Sequence, residues 1–333
     1  MFFPLFLLLA GGVFLFKGAQ FLVHGGSVIG LRLKIPPAVI GLTVVAFGTS
    51  APEFFLSLSA ALTGAPALSL GNVLGSNIAN VLLILGCAAV AGSVIVPRST
   101  LVRDLPIVIA ATILVALLAN DRWYSLSASN VLSFRDGLLF LGLFSVFIYT
   151  LLVEKGMDGM HLIQHFRFRH AYRVSLIGAH SIPKALLEVC VSVFALWFGA
   201  AAFVRALTDL GTLWQVPEVM LGLTVAALGT SLPELATTLV ATWRKEGDIA
   251  VGNIVGSVIF NTLFVLGAVS LVRPMPWPLT LNTDLAVLGA ALALVVVMLW
   301  HGRKRREFSR GEGVVLILGY VAYAALLFGR FAS

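Results

Sequence analysis

The sequence predicts an all-α integral membrane protein of ten transmembrane helices, arranged as two inverted five-helix repeats. Three observations lead there. The 333 residues are 59% hydrophobic and only 11% charged, with a mean hydropathy of +1.02, whereas soluble domains carry roughly a quarter charged residues. Apolar stretches of about 20 residues, enough to cross a bilayer as a helix, recur from end to end. One polar pattern is written twice at a fixed offset.

The stretches fall near 3–24, 36–62, 67–91, 101–119 and 136–153, then 183–206, 217–243, 248–272, 281–300 and 311–331. The first could be a signal-peptide core, but it lacks a basic start and a small-residue cleavage site, so it reads as a span; its His24 reads as structural. The second and seventh carry Glu53 and Glu234, each directly behind a proline. The third and eighth carry Gly71-xxx-Gly75 and Gly252-xxx-Gly256, small-residue patterns that let helices approach closely. Asp104 and Asp284, near the ends of the fourth and ninth, read as interfacial. The sixth opens with Lys184 and Glu188, one turn apart as in an ordinary helical pair. Cys87 and Cys190 lie inside apolar runs and read as small core residues, not as a disulfide or metal pair.

The net charge of +7 is distributed with a clear bias. Sixteen of the 22 lysines and arginines sit in links after odd-numbered spans, from Arg32 and Lys34 to the run Arg303–Arg306. Positive loops mark the cytoplasmic side, so both termini are expected outside. The basic balance thus reports topology in a cell (inner or plasma) membrane, not a nucleic-acid partner. The longest link, 154–182, mixes His161, His165, Arg167, Arg169, His170 and Arg173 with Phe166, Phe168 and Tyr172. It reads either as a helix on the membrane surface or as a solvated basic loop.

"GLTVVAFGTSAPE" from Gly41 returns as "GLTVAALGTSLPE" from Gly222, an offset of 181. Aligned without a gap, 39–86 and 220–267 share about 21 identities in 48 positions. Pro36 with Pro217, and Pro97 with Pro278, keep the register beyond both ends. Five spans per half is an odd number, so the second copy enters the membrane from the opposite side. The units expected are 1–153, a linker 154–182, and 183–333. Inverted repeats of this kind bind substrate near mid-membrane on interrupted helices.

A charged side chain at mid-span costs about 2.5–3.5 kcal/mol, so Glu53 and Glu234 need a proton, a partner or a cation. No Lys or Arg lies in either repeat's apolar core. Pro52 and Pro233 are expected to release the carbonyls of Gly48 and Gly229, and to expose those of Ala46 and Ala227. Thr49 and Ser50 share a helix face with Glu53, as Thr230 and Ser231 do with Glu234. Asn72, Ser76 and Asn80 step by four into one polar stripe, matched by Asn253, Ser257 and Asn261. Asn72 and Asn253 have the alternative of bridging helices by hydrogen bonds. Every donor is oxygen, the chemistry of hard cations such as Ca²⁺ and Na⁺.

"GTSAPE…GNVLGSNIANVLLILG" and "GTSLPE…GNIVGSVIFNTLFVLG" resemble the two alpha repeats of the calcium/cation antiporter superfamily, in particular its compact, prokaryotic-type sodium/calcium exchangers. The resemblance implies an antiporter with clustered cation sites. Glu53 and Glu234 would hold Ca²⁺ with help from Thr49 and Thr230. Na⁺ would sit on Ser50, Ser76, Ser231, Ser257 and the carbonyls of Ala46 and Ala227. One departure matters: sodium-coupled members commonly place an aspartate at one of the positions held here by Asn80 and Asn261. That favours proton coupling as the alternative to sodium. A passive channel and an intramembrane enzyme are the remaining classes, and the second lacks any nucleophile or metal triad. No cofactor and no protein partner are expected, only bilayer and inorganic cations.

Overall fold

The computed structural model describes residues 2–92, 94–121, 130–157, 181–213, 229–301 and 306–332. Eight helices among them are long and apolar enough to cross a membrane, and a bent helix pair makes a ninth candidate. The first, α1 (Phe2–Leu33), is followed by the bent pair α2 (Pro37–Thr49) and α3 (Ala51–Leu62). Then come α4 (Pro66–Ala91), α5 (Thr100–Leu118) and α6 (Phe134–Met157). The remainder are α7 (Ile182–Leu213), α8 (Leu232–Trp243), α9 (Gly247–Val272), α10 (Leu281–His301) and α11 (Arg310–Ala332). Most of the linker 154–182 and the first half of the expected seventh span, with Ala227 in it, lie outside the described residues.

The helical plan carries one addition the apolar pattern does not announce. Two minimal antiparallel ribbons tie the chain's halves together: β1 (Val94–Ile95) with β4 (Glu307–Phe308), and β2 (Val131–Leu132) with β3 (Met275–Pro276). Two-residue strands are too short for a periodic signal.

Helices α1 and α7, 32 residues each, are about 48 Å long at 1.5 Å per residue. That exceeds the ~30 Å hydrocarbon core. They run antiparallel along a seam of glycines seven apart. A Cβ on Gly11 would lie 2.8 Å from the Gly199 carbonyl oxygen, one on Gly18 3.0 Å from Leu196, and one on Gly25 3.0 Å from the Ala185 oxygen. Across the same seam His24 Nδ1 meets Glu188 at 2.8 Å. This cross-helix pair was not foreseen for either residue. Ser27 donates to Glu246 at 2.6 Å, tying α1 to the turn before α9.

Apolar packing divides accordingly. One cluster joins α4, α5, α6, α9, α10 and α11; a second joins α1 and α7 to parts of α2, α8 and the start of α9. Cys87 is half-buried, but Cys190 is exposed on α7, correcting its reading as core. The adjacent Val191 and Phe194 are exposed too, so this face of α7 fits the acyl solvent. Asp104 and Asp284 are buried in protein and paired with Arg103 (2.6 Å) and Arg330 (3.1 Å).

Candidate cation site

The break between α2 and α3 falls at Ser50 (φ −86°, ψ 6°), where the axis bends by 47°. Ser231 repeats those angles (φ −86°, ψ 2°) before α8. The prolines act differently from the sequence expectation. Pro52 and Pro233 sit in the first turn of a new helix, where a missing N–H is not needed. They start α3 and α8 instead of kinking a continuous span. Glu53 and Glu234 therefore stand in the first turn of each helix, where the dipole favours negative charge.

The turns that follow are built alike. Ala65 N–H bonds the Ala60 oxygen (2.7 Å), and Glu246 N–H bonds that of Ala241 (2.8 Å). The left-handed residue is Gly64 (φ 86°) in one and Lys245 (φ 59°) in the other. Helices α4 and α9 then widen into π-helical turns at Ala79–Ile84 and Phe260–Val265, at the level of Asn80 and Asn261. Such turns are rare and concentrate at functional sites.

The two halves meet at the carboxylates. Glu53 and Glu234 are both fully buried and interact electrostatically across the site. Ser50 donates to Glu234 at 2.7 Å, and its oxygen lies 2.9 Å from that of Ser257. Thr49 donates to Asn253 Oδ1 at 3.1 Å, and Thr230 to Asn72 Oδ1 at 3.4 Å. Asn72 Nδ2 donates to Ser57 Oγ (2.9 Å) and the Glu53 carbonyl (3.2 Å). Asn253 Nδ2 donates to Thr238 Oγ1 (2.9 Å) and the Glu234 carbonyl (3.3 Å). Each asparagine thus ties its own helix pair and hands its oxygen to the other copy's threonine. Ser57 and Thr238 were missed, although the 181 offset that found the glutamates also superposes these hydroxyls.

Several expected donors are buried with polar atoms unpaired. Among the described residues, both Glu53 oxygens, Glu234 Oε2, Ser76 Oγ, Ser231 Oγ and both amide atoms of Asn80 and Asn261 lack a hydrogen-bond partner. Unpaired buried polar atoms are uncommon in native proteins, and the unpaired oxygens of the two electrostatically coupled glutamates are available to a ligand. The Ala46 carbonyl is engaged instead, accepting from Ser50 N–H (2.9 Å) with the Thr49 hydroxyl at 3.2 Å. No group of three or more His, Cys, Asp and Glu converges among the described residues. The arrangement offers two carboxylates and neutral oxygens. Phe47, Phe144, Phe260 and Phe264 form an aromatic cluster between α2, α6 and α9, with the Phe260 and Phe264 rings stacked and the Phe47 and Phe260 centroids 4.6 Å apart.

Long apolar helices around a buried, paired-carboxylate centre define a membrane transport protein. Residues 3–153 and 184–329 match the sodium/calcium exchanger protein family, and the chain belongs to it. It is 32% identical to the sodium/calcium exchanger MaX1 of Methanosarcina acetivorans, over 97% of each chain. It is 35% identical to the inner membrane protein YrbG of Escherichia coli K12, over 97% of this chain and 96% of that one. The solved structure of the sodium–calcium exchanger NCX_Mj, soaked with zero Na⁺ and Ca²⁺, superposes with a TM-score of 0.80 at 27% identity, covering 97% and 98% of the two chains. The family resemblance carried by the doubled motif is thereby confirmed, and the family is one of antiporters, not enzymes.

Proposed function

We propose that the chain exchanges Ca²⁺ for Na⁺ across a cell membrane by alternating access, through one cage built on Glu53 and Glu234. The observation that supports this is the pair of fully buried carboxylates, one from each copy, that interact electrostatically, with both Glu53 oxygens and Glu234 Oε2 outside any well-formed hydrogen bond. Ca²⁺ takes 6–8 oxygen ligands, and its double charge balances two carboxylates. Thr49 and Thr230 complete the Ca²⁺ position. Ser50, Ser76, Ser231, Ser257, Asn72, Asn80, Asn253 and Asn261, with the carbonyl of Ala227, supply the flanking Na⁺ ligands; the Ala46 carbonyl joins them only by giving up the hydrogen bonds it accepts from Ser50 and Thr49. Both loads need the same carboxylates, so one must leave before the other enters. That exclusion is the coupling.

The reading rests on ten spans in two inverted units, 1–153 and 183–333, joined by the basic linker 154–182. Both termini face outward and the basic loops are cytoplasmic. The charge distribution supports this, and the similarity to an inner membrane protein supports the compartment. Helices α1 and α7, packed on each other with their own apolar cluster, slide against the remaining core to change access.

Asn80 and Asn261 favour a second reading, in which protons replace sodium, because the cage then carries two negative charges and no third. Uptake of ⁴⁵Ca²⁺ into membrane vesicles under imposed Na⁺ or pH gradients separates the two. A Na⁺ gradient is expected to drive uptake; a pH gradient acting alone would establish the proton reading. Glu53→Gln and Glu234→Gln are each expected to lower uptake at least about ten-fold, the effect of roughly 1.4 kcal/mol. Normal uptake by both variants would remove the cage.

A further inference from the structure

A hydrogen bond outside the cage joins α4 to α9. Asn77 Nδ2 donates to Thr262 Oγ1 at 2.9 Å, and both side chains are buried. Each residue directly follows a proposed cage donor in the chain: Asn77 follows Ser76, and Thr262 follows Asn261. Thr262 lies inside the π-helical turn Phe260–Val265, and Asn77 stands just before the turn Ala79–Ile84.

The repeat shows what this bond is not needed for. At the offset of 181, Asn77 corresponds to Val258 and Thr262 to Val81. Both valines are buried in one apolar cluster, so the equivalent places in the fold are filled without a polar pair. The bond of Thr49 with Asn253 has its counterpart in that of Thr230 with Asn72; the bond of Asn77 with Thr262 has none. Packing alone does not call for an amide here, which is costly to bury without partners. Asn77 bears part of that cost, because its Oδ1 has no partner among the described residues. A π-helical turn is a local departure from the α-helical ladder. In α9 that turn is tied from the side, at the residue next to Asn261, whereas in α4 the residue next to Asn80 is Val81. We propose that Asn77 and Thr262 are positioning residues, whose bond holds the α9 turn so that Asn261 is set for the monovalent load. The inference rests on the proposed exchange, in which Asn261 is a Na⁺ ligand.

The test is ⁴⁵Ca²⁺ binding to the purified protein in detergent, titrated with Na⁺ at constant ionic strength. Asn77→Val and Thr262→Val give each place the residue its counterpart already carries, so both are expected to fold; Thr262→Val, nearly isosteric, carries the same prediction should Asn77→Val fail to. One interhelical hydrogen bond corresponds to about three- to eighteen-fold in the affinity of one site. Where two Na⁺ displace one Ca²⁺, the half-displacing concentration changes as the square root of that, about two- to four-fold. Each variant is expected to raise the half-displacing Na⁺ concentration by this factor. The double variant should raise it no further, since one bond is lost in all three. Ca²⁺ affinity without Na⁺ should stay at the wild-type value, and Thr262→Ser, which keeps the hydroxyl, should behave as wild type. Equal weakening of Ca²⁺ and Na⁺, the mark of a merely structural bond, overturns the inference and leaves the exchange standing. So does an unchanged Na⁺ titration in the variants. A wild type from which Na⁺ displaces no Ca²⁺ overturns the sodium reading itself, and this inference with it.

Discussion

Asn80 and Asn261 stand buried at the π-helical turns with neither amide atom hydrogen-bonded among the described residues. They are where a third charge could enter the cage and does not. On the proposed cage of two carboxylates, one Ca²⁺ or two monovalent ions would restore neutrality, so a complete exchange is expected to move no net charge. Uptake of ⁴⁵Ca²⁺ should therefore be insensitive to a membrane potential clamped by potassium and valinomycin. Asn80→Asp adds a negative charge and calls for a third monovalent ion per cycle. Moving one charge through 100 mV corresponds to about 2.3 kcal/mol, so that variant's uptake should change several-fold with the clamped potential. Voltage-dependent uptake by wild type would show that the cage already holds a third charge. At this scale the sequence was informative because burying ionisable and amide groups in a membrane is expensive, and the repeat made them appear twice. It was uninformative about connectivity. The pairing of Asn72 with Ser57 and Thr230, and of Asn253 with Thr238 and Thr49, crosses between helices, and no spacing along one chain encodes it.

Elements were legible as far as their length and apolar content extend. The expected stretches 67–91, 248–272 and 281–300 match α4, α9 and α10 to within a residue. Stretches 3–24 and 183–206 fell short of α1 and α7, whose ends continue past the apolar run as helix. Breaks at Pro52 and Pro233 were expected, though as kinks and not as helix restarts at Ser50 and Ser231; the π-helical turns were not, because the apolar pattern runs through them almost unchanged. The small-residue pattern of the second copy packs as expected. A Cβ on Gly252 would lie 2.6 Å from the Ala38 oxygen, and one on Gly256 2.7 Å from Leu42, so α9 packs directly on α2. The seam between α1 and α7 was missed because its glycines are seven apart on two distant segments. It predicts a contrast between neighbours. Gly18→Leu forces a side chain against Leu196 and the backbone of Ser192, and overpacking of this kind costs about 1–3 kcal/mol. Thermal unfolding in detergent should show a clear loss for Gly18→Leu and none for Gly12→Leu, whose position is open. If the pair moves as a body, Gly18→Leu should also slow transport while Ca²⁺ binding to the solubilised protein persists. Unchanged melting would mean the seam is looser than its contacts imply.

At the scale of the whole molecule, the cage and the repeat make one topological demand. Two copies of the same broken helix can aim their carboxylates at each other from opposite directions only if an odd number of crossings separates them. The turn after α3 and the turn after α8 occupy equivalent positions, with left-handed residues at Gly64 and Lys245. On the proposed plan five spans lie between these turns, which places Thr63 outside and Lys245 in the cytoplasm. Both residues are exposed. Cys87 and Cys190 must first be replaced, since Cys190 is exposed and would take the label itself. On that background, a membrane-impermeant maleimide added to intact spheroplasts should label Thr63→Cys and spare Lys245→Cys until the cells are permeabilised. Labelling of both from the same side would require an even number of crossings. The two copies would then enter the membrane in parallel, and the mirrored approach of Glu53 and Glu234 would lose its structural basis. Opposite labelling, combined with loss of transport in either glutamate variant, would tie the inverted plan to the ion path. The same plan explains why the basic residues follow odd-numbered spans, because each copy keeps its positive links on one side while presenting its polar helices from the other.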